Sequence, residues 1–238
     1  SDSMTTWLTP TISECLAEGS NTFHSDWERE QPAMAPASTT SLATSSSASN
    51  VTLTIGGTNG KGAATRLAAD LLQRAGHCVG QFTSPHLHDY AERIVVNGQS
   101  VDPACIVEAF VAIESQRGDT PLTYFEFGTL AALWVFRAQG CTAQVLEVGL
   151  GGRLDAVNLL DADAALITSI GTDHGDWLGD SRQAIAIEKA GIFRSGKVAV
   201  CAEHAPPAEL APHLAERDIR PLWIGQAFSV VSDGGPHW

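Results

Sequence analysis

VTLTIGGTNGKGAA, Val51 to Ala64, is the stretch that decides how the chain is read. Val51 to Ile55 is a short, β-rich apolar run. Glycines follow at 56, 57, 60 and 62, with Lys61 among them. Arg66 to Arg74 (RLAADLLQR) then repeats apolar residues at helical spacing. Strand, glycine loop and helix in that order are the context of a phosphate-binding loop. Glycines let backbone N–H groups turn inward toward an anion, and the helix N-terminus adds partial positive charge. Lys61 supplies a full charge. The pattern G-x-x-x-x-G-K-[ST] is met imperfectly, because Ile55 stands at the first glycine and Gly62, followed by Ala63, at the hydroxyl position. The competing reading is a glycine-rich turn with a surface lysine.

The chain has 238 residues, of which 44% are hydrophobic, enough for one large α/β domain with a proper core. No apolar run reaches the length of a membrane span. The N-terminus lacks the basic, apolar and small-residue order of a signal peptide. A formal charge of −13 argues against a general nucleic-acid binder. The cysteines, Cys15, Cys78, Cys105, Cys141 and Cys201, have no metal-ligand spacing and read as small, reduced, buried residues of a cytoplasmic protein.

Residues 1–50 form a separate N-terminal segment. Leu8 to Leu16 reads as a short helix, and the Pro-, Ala-, Ser- and Thr-rich run from Gln31 to Asn50 as a loop or linker. From Val51 the pattern is regular. Helix 62–75 stops near Gly76. Strand Cys78–Phe82 ends in Thr83-Ser84-Pro85-His86, and Arg93–Val96 turns at Asn97-Gly98 like a hairpin. Asp102-Pro103 opens a helix to about Gln116, and a second spans Thr123–Ala138 before Gly140. Strand Ala143–Val148 ends in Gly149-Leu150-Gly151-Gly152. Strand Ala164–Ile170 precedes Gly171-Thr172-Asp173-His174. Helix Arg182–Ala190, strand Lys197–Cys201, helix Pro207–Arg217 and strand Ile219–Ile224 complete the series. This alternation predicts an α/β fold, a mostly parallel sheet with helices on both faces. Ligands of such sheets sit beyond the carboxyl ends of the strands. The glycine loop, Ser84, Glu147 and His174 all fall at or just after predicted strand ends.

A nucleoside triphosphate brings Mg²⁺, which prefers oxygen ligands. Ser84 and Glu147 offer oxygen; His174 is a less usual ligand. Each has a plain alternative: Ser84 a turn before proline, Glu147 a charge paired with Arg153, His174 a loop histidine bonded to Asp173. Lys189 reads by itself as a solvated partner of Glu188. Tyr124, Phe125 and Phe127 read equally well as core.

Seven segments follow one another in order: Gly57-Thr58-Asn59-Gly60-Lys61-Gly62, Thr83-Ser84-Pro85-His86-Leu87, Glu92-Arg93-Ile94, Thr123-Tyr124-Phe125-Glu126, Glu147 to Ala156, Thr172-Asp173-His174 and Glu188 to Ile192. Together they resemble the folylpolyglutamate synthase/dihydrofolate synthase family of the Mur ligase superfamily, closest to its bacterial bifunctional members, over about Val51 to Ile224. The resemblance implies a P-loop NTPase-like Mur ligase central domain and an ATP-dependent amide ligase with L-glutamate, dihydropteroate or reduced folates as small-molecule substrates. It implies no nucleic-acid or membrane partner, and a monomer. By position, Thr58, Asn59, Gly60, Lys61 and Gly62 would hold the ATP phosphates. Ser84, Glu147 and His174 would ligate Mg²⁺, and Lys61, Lys189 and His174 would carry the chemistry, Lys189 as a carbamate. Thr123, Tyr124, Phe125, Glu126, Leu154, Asp155 and Ala156 would hold the pterin. Departures are Ala63 for the family's Ser or Thr, Val157 for its Thr, no counterpart of an N-terminal Gly-Leu-x-Arg segment, and no sequence for the second, glutamate-binding domain. The expectation for these 238 residues alone is weak Mg-ATP binding and slow or no ligation.

Overall fold

The computed structural model describes residues 51–172 and 181–230. The expected N-terminal helix, Asp173 and His174 lie outside the described residues.

Eight strands form one sheet: β1 (Val51–Gly56), β2 (Val79–Phe82), β3 (Ile94–Val96), β4 (Gln99–Ser100), β5 (Ala143–Glu147), β6 (Ala164–Ile167), β7 (Val198–Cys201) and β8 (Leu222–Trp223). Their order is β4-β3-β2-β5-β1-β6-β7-β8. β2, β5, β1, β6, β7 and β8 run parallel, while β3 and β4 add an antiparallel edge. The β3–β4 turn needs positive φ at both central residues, and Asn97 (φ 49) with Gly98 (φ 77) supplies it.

Among the described residues five α-helices intervene: α1 (Lys61–Arg74), α2 (Pro103–Arg117), α3 (Tyr124–Ala138), α4 (Arg182–Ala190) and α5 (Leu210–Glu216). Side chains alternate across each strand. Val51, Leu53, Ile55, Val79, Ala143 and Val145 meet α1 through Ala64, Ala68, Ala69 and Leu72. Phe82, Leu146, Ile167 and Cys201 join the larger core with α2, α3, α4 and α5 on the other face. The sheet is therefore covered on both faces, unequally. α3 is apolar nearly all round and lies so close to the sheet that a Cβ on Gly80 of β2 would sit 2.4 Å from the Phe136 ring.

Three elements are shorter than the sequence pattern suggests. β6 stops at Ile167: Thr168 N–H makes a last bond to Gly56 at the end of β1, and the Thr168 hydroxyl and Ser169 carbonyl then bond the glycine loop. α5 starts at Leu210, after a turn closed by Leu210 N–H on the Pro207 carbonyl. Pro221 lies two residues after Ile219, whose side chain enters the core, and pairing to β7 begins only at Leu222. Among the described residues no helix is long and apolar enough to cross a membrane. Cys78, Cys105, Cys141 and Cys201 are free thiols; Cys141 and Cys201 are buried as expected, whereas Cys78 and Cys105 are only half-buried.

Candidate functional site

β1 delivers the chain into the glycine loop between β5 and β6. Gly57 takes φ +143, and a Cβ there would lie 1.9 Å from Thr168 Oγ1. Only glycine fits that close approach. Gly60 (φ 81) heads α1 with no side chain capping it, so the first-turn amides face outward, as an anion site requires. Lys61 Nζ folds back to donate to the Thr58 carbonyl at 3.3 Å.

The segment after β6 holds this loop. Thr58 N–H donates to the Ser169 carbonyl (2.9 Å) and Asn59 N–H to Ser169 Oγ (3.0 Å). Thr168 Oγ1 donates to the Asn59 carbonyl at 2.7 Å, and Gly171 N–H to Thr58 Oγ1 at 2.8 Å. Thr168 and Ser169 are the residues sequence reasoning missed; two adjacent hydroxyls at a strand end beside β1 were the available signal. Glu203 and Arg182 brace the segment from behind, with Ile170 N–H on Glu203 (2.8 Å) and Arg182 Nε on the Ile170 carbonyl (2.8 Å).

Glu147 ends β5 and points toward the same loop. Its Oε2 accepts from Ser84 N–H at 3.1 Å, and a Cβ on Gly62 would stand 3.6 Å from that oxygen. It is buried, and burial raises its pKa against the lowering pull of Ser84 N–H, Lys61 and Arg93. The alternative pairing with Arg153 does not occur, because Arg153 Nε binds Glu188 at 2.9 Å. Lys189 is likewise no solvated partner of Glu188: it is 5% exposed, under the Gly152 turn.

The Gly149–Ala156 loop closes around Asp155. Its Oδ2 accepts from Gly149 and Leu150 N–H, both at 2.9 Å, and its Oδ1 from Val157 N–H at 3.0 Å. Burial still raises its pKa to about 6, against those donors and Lys61. Phe125 packs on Phe82 at 5.7 Å and lies against Gly149, where a Cβ would be 2.8 Å from the ring. Thus the α3 N-terminus and the Asp155 loop meet. Thr123 and Glu126 form the α3 capping box, so the Glu126 carboxylate serves the helix end. Tyr124 instead lies beside Arg93.

The structure therefore brings Lys61, Gly62, Ser84 and Glu147 to one rim, next to Asp155 and the start of α3. Among the described residues no three His, Cys, Asp or Glu side chains form a ready metal cluster. The donor set nonetheless suits a hard divalent cation: a buried carboxylate beside a serine, facing open helix amides.

A mostly parallel sheet with a glycine loop between its first strand and first helix, and an acid at the end of the adjacent strand, defines an α/β domain of the phosphate-loop class. The Mur ligase middle domain matches residues 55–223, and the chain belongs to that family. It is 51% identical over 164 residues to the dihydrofolate synthase/folylpolyglutamate synthase of Escherichia coli K12, covering 69% of this chain and 39% of that protein. To the Haemophilus influenzae protein of the same name it is 47% identical over 174 residues, covering 70% and 40%. The structure of E. coli FolC in complex with DHPP and ADP superposes with a TM-score of 0.81 at 39% identity, over 93% of this chain and 53% of that one. A bifunctional folylpolyglutamate synthase/dihydrofolate synthase with Mn, AMPPNP and L-glutamate bound gives 0.79 at 40% identity, over 89% and 53%. The chain thus spans about half the length of these solved relatives, and less of the curated ones.

Proposed function

We propose that the chain is the ATP-binding part of a ligase that joins L-glutamate to dihydropteroate or to a reduced folate. The carboxylate of the pterin-bearing acid attacks the γ-phosphate of ATP, forming an acyl phosphate and releasing ADP. The glutamate amine then displaces phosphate from the acyl phosphate, forming the amide. The observation carrying this reading is the meeting of the Lys61 loop, Ser84–Glu147 and the Phe125–Asp155 region at one sheet rim.

In this reading Thr58 to Gly62 cradle the phosphates through backbone N–H groups, and Lys61 swings from the Thr58 carbonyl to the transferred phosphate. Ser84, Glu147 and His174 would hold Mg²⁺, whose charge would offset that of the phosphates. Carbamylation of the buried Lys189 would replace its ammonium with an anionic carbamate, an oxygen donor for a second Mg²⁺. Phe125, Tyr124 and Thr123 hold the pterin from one side, and Leu154, Asp155 and Ala156 from the other. Catalysis rests on positioning and charge neutralisation.

A second reading, nucleotide binding without ligation, draws on Gly62 and the exposed Ala63, which offer no hydroxyl oxygen. Calorimetric titration with Mg-ATP, dihydropteroate and a cell-wall nucleotide-peptide acid separates the possibilities. Binding of Mg-ATP and dihydropteroate supports the folate ligase, and Lys61→Ala then abolishes the Mg-ATP heat. Binding of the nucleotide-peptide acid alone overturns the folate assignment.

A further inference from the structure

The Glu92-Arg93 pair has no role in the reading above. Glu92 organises the turn after β2, accepting from Leu87 N–H (2.8 Å), His88 N–H (3.0 Å) and Asp89 N–H (2.9 Å). Those bonds, Leu87 first, hold its carboxyl below the usual range. Arg93 follows in a one-turn 3-10 helix, Tyr90–Arg93, and is only 7% exposed. Its carbonyl accepts from Thr83 N–H at 3.0 Å, next to Ser84.

The Arg93 guanidinium is pinned. Nε donates to His86 Nδ1 at 2.8 Å. The rings of Tyr90 and Tyr124 lie 5.5 and 5.4 Å from its Cζ. Among the described residues no carboxylate forms an ion pair with it, and its two terminal nitrogens have no hydrogen-bond partner. Neither is sealed in the core as an unsatisfied atom. A buried, always-charged fork held at Nε and left open at its tips is an anion receptor in form, and a planar carboxylate matches it in two bonds.

Its place selects the anion. On one side stands Tyr124, first residue of α3, whose neighbour Phe125 flanks the Asp155 loop. On the other stand Thr83–Ser84 and Glu147, where the phosphates and metal gather. The reacting carboxylate of a pterin-bearing acid must lie between these two. We propose that Arg93 is a substrate-positioning residue whose terminal N–H groups hold the carboxylate to be phosphorylated, with Glu92 and His86 fixing the turn and the fork behind it. This rests on the proposed folate-ligase function.

The test compares two probes on the 238-residue chain by calorimetry, without metal or nucleotide: dihydropteroate, and the same dihydropterin-methyl-aniline lacking the carboxyl group. The unmodified chain is expected to bind the acid about tenfold or more tighter than the carboxyl-free compound. Arg93→Gln removes that preference, so that the two compounds bind it with equal affinity. Arg93→Lys, which keeps charge but not the fork, restores only part of it. Equal binding of both probes by the unmodified chain overturns the Arg93 assignment alone, and needs no variant to fold. Loss of both probes in a folded Arg93→Gln chain shows a merely structural role and also overturns it. Binding of neither probe by the unmodified chain overturns the proposed function itself.

Discussion

Asp155→Asn tests the electrostatics of the loop opposite α3. At neutral pH the native carboxylate is ionised in a buried position, held by three backbone N–H groups. Burial nevertheless wins, raising the folded pKa to about 6. An unfolded aspartate titrates near 3.9, so this rise corresponds to about 3 kcal/mol of native-state preference for the protonated form. The native state therefore binds more protons than the unfolded chain between those two values. The resulting stability is fully present below about pH 4 and lost as pH rises through about 6. Asparagine carries no such charge. Its amide oxygen can keep the Gly149 and Leu150 donors, while its NH₂ group faces the Val157 N–H and orphans it, at a cost of about 1–3 kcal/mol. Near pH 7.5 the relief and the orphan roughly offset, and the variant is expected within about 2 kcal/mol of the native chain. Toward pH 4.5 the native chain should gain about 2 kcal/mol relative to the variant, because only it takes up the proton. Urea unfolding of both chains at the two pH values measures the double difference, in which all other carboxylates cancel. Parallel pH dependences, or a native chain that loses relative stability on acidification, would refute the burial argument.

Three further outcomes are expected. Gly57→Ala should cost more than about 2 kcal/mol and abolish Mg-ATP binding, since its Cβ would collide with Thr168 Oγ1 1.9 Å away; thermal melts and calorimetry report both. Glu147→Gln should keep or raise stability at neutral pH, because burial already disfavours its charge, yet weaken Mn²⁺ binding by about tenfold or more, as read by electron spin resonance. Lys189 should show a bicarbonate-dependent mass increase that Lys189→Arg lacks; an unchanged mass in saturating bicarbonate would count against the carbamate.

The fold was largely legible because its punctuation is local. Asp102-Pro103 and Thr123–Glu126 cap α2 and α3 as their types predict, and Asn97-Gly98 makes the expected turn. The glycine loop could be read because only glycine tolerates its φ values and contacts. Less legible were features set by tertiary contact. Nothing local says that β6 ends early so that Thr168 and Ser169 can bond Asn59, or that Arg153 chooses Glu188 over Glu147. The burial of Lys189 was hidden too, because a lysine after a glutamate looks like an ordinary surface pair. Arg93 was visible only as part of a short segment, since its meaning depends on how the turn folds His86 and Tyr90 around it and on the Tyr124 ring brought in by α3.

In the proposed function one rim gathers the glycine loop, a divalent ion and the acid that ends β5. Crystals grown with Mn²⁺ and a non-hydrolysable ATP analogue, measured at the manganese absorption edge, locate the ion directly. An anomalous peak is expected bonded to Ser84 Oγ and a Glu147 carboxylate oxygen, with the analogue's terminal phosphates on the amides of Thr58 to Gly62. A peak elsewhere, with Glu147 still bonded only to the Ser84 amide, would contradict it.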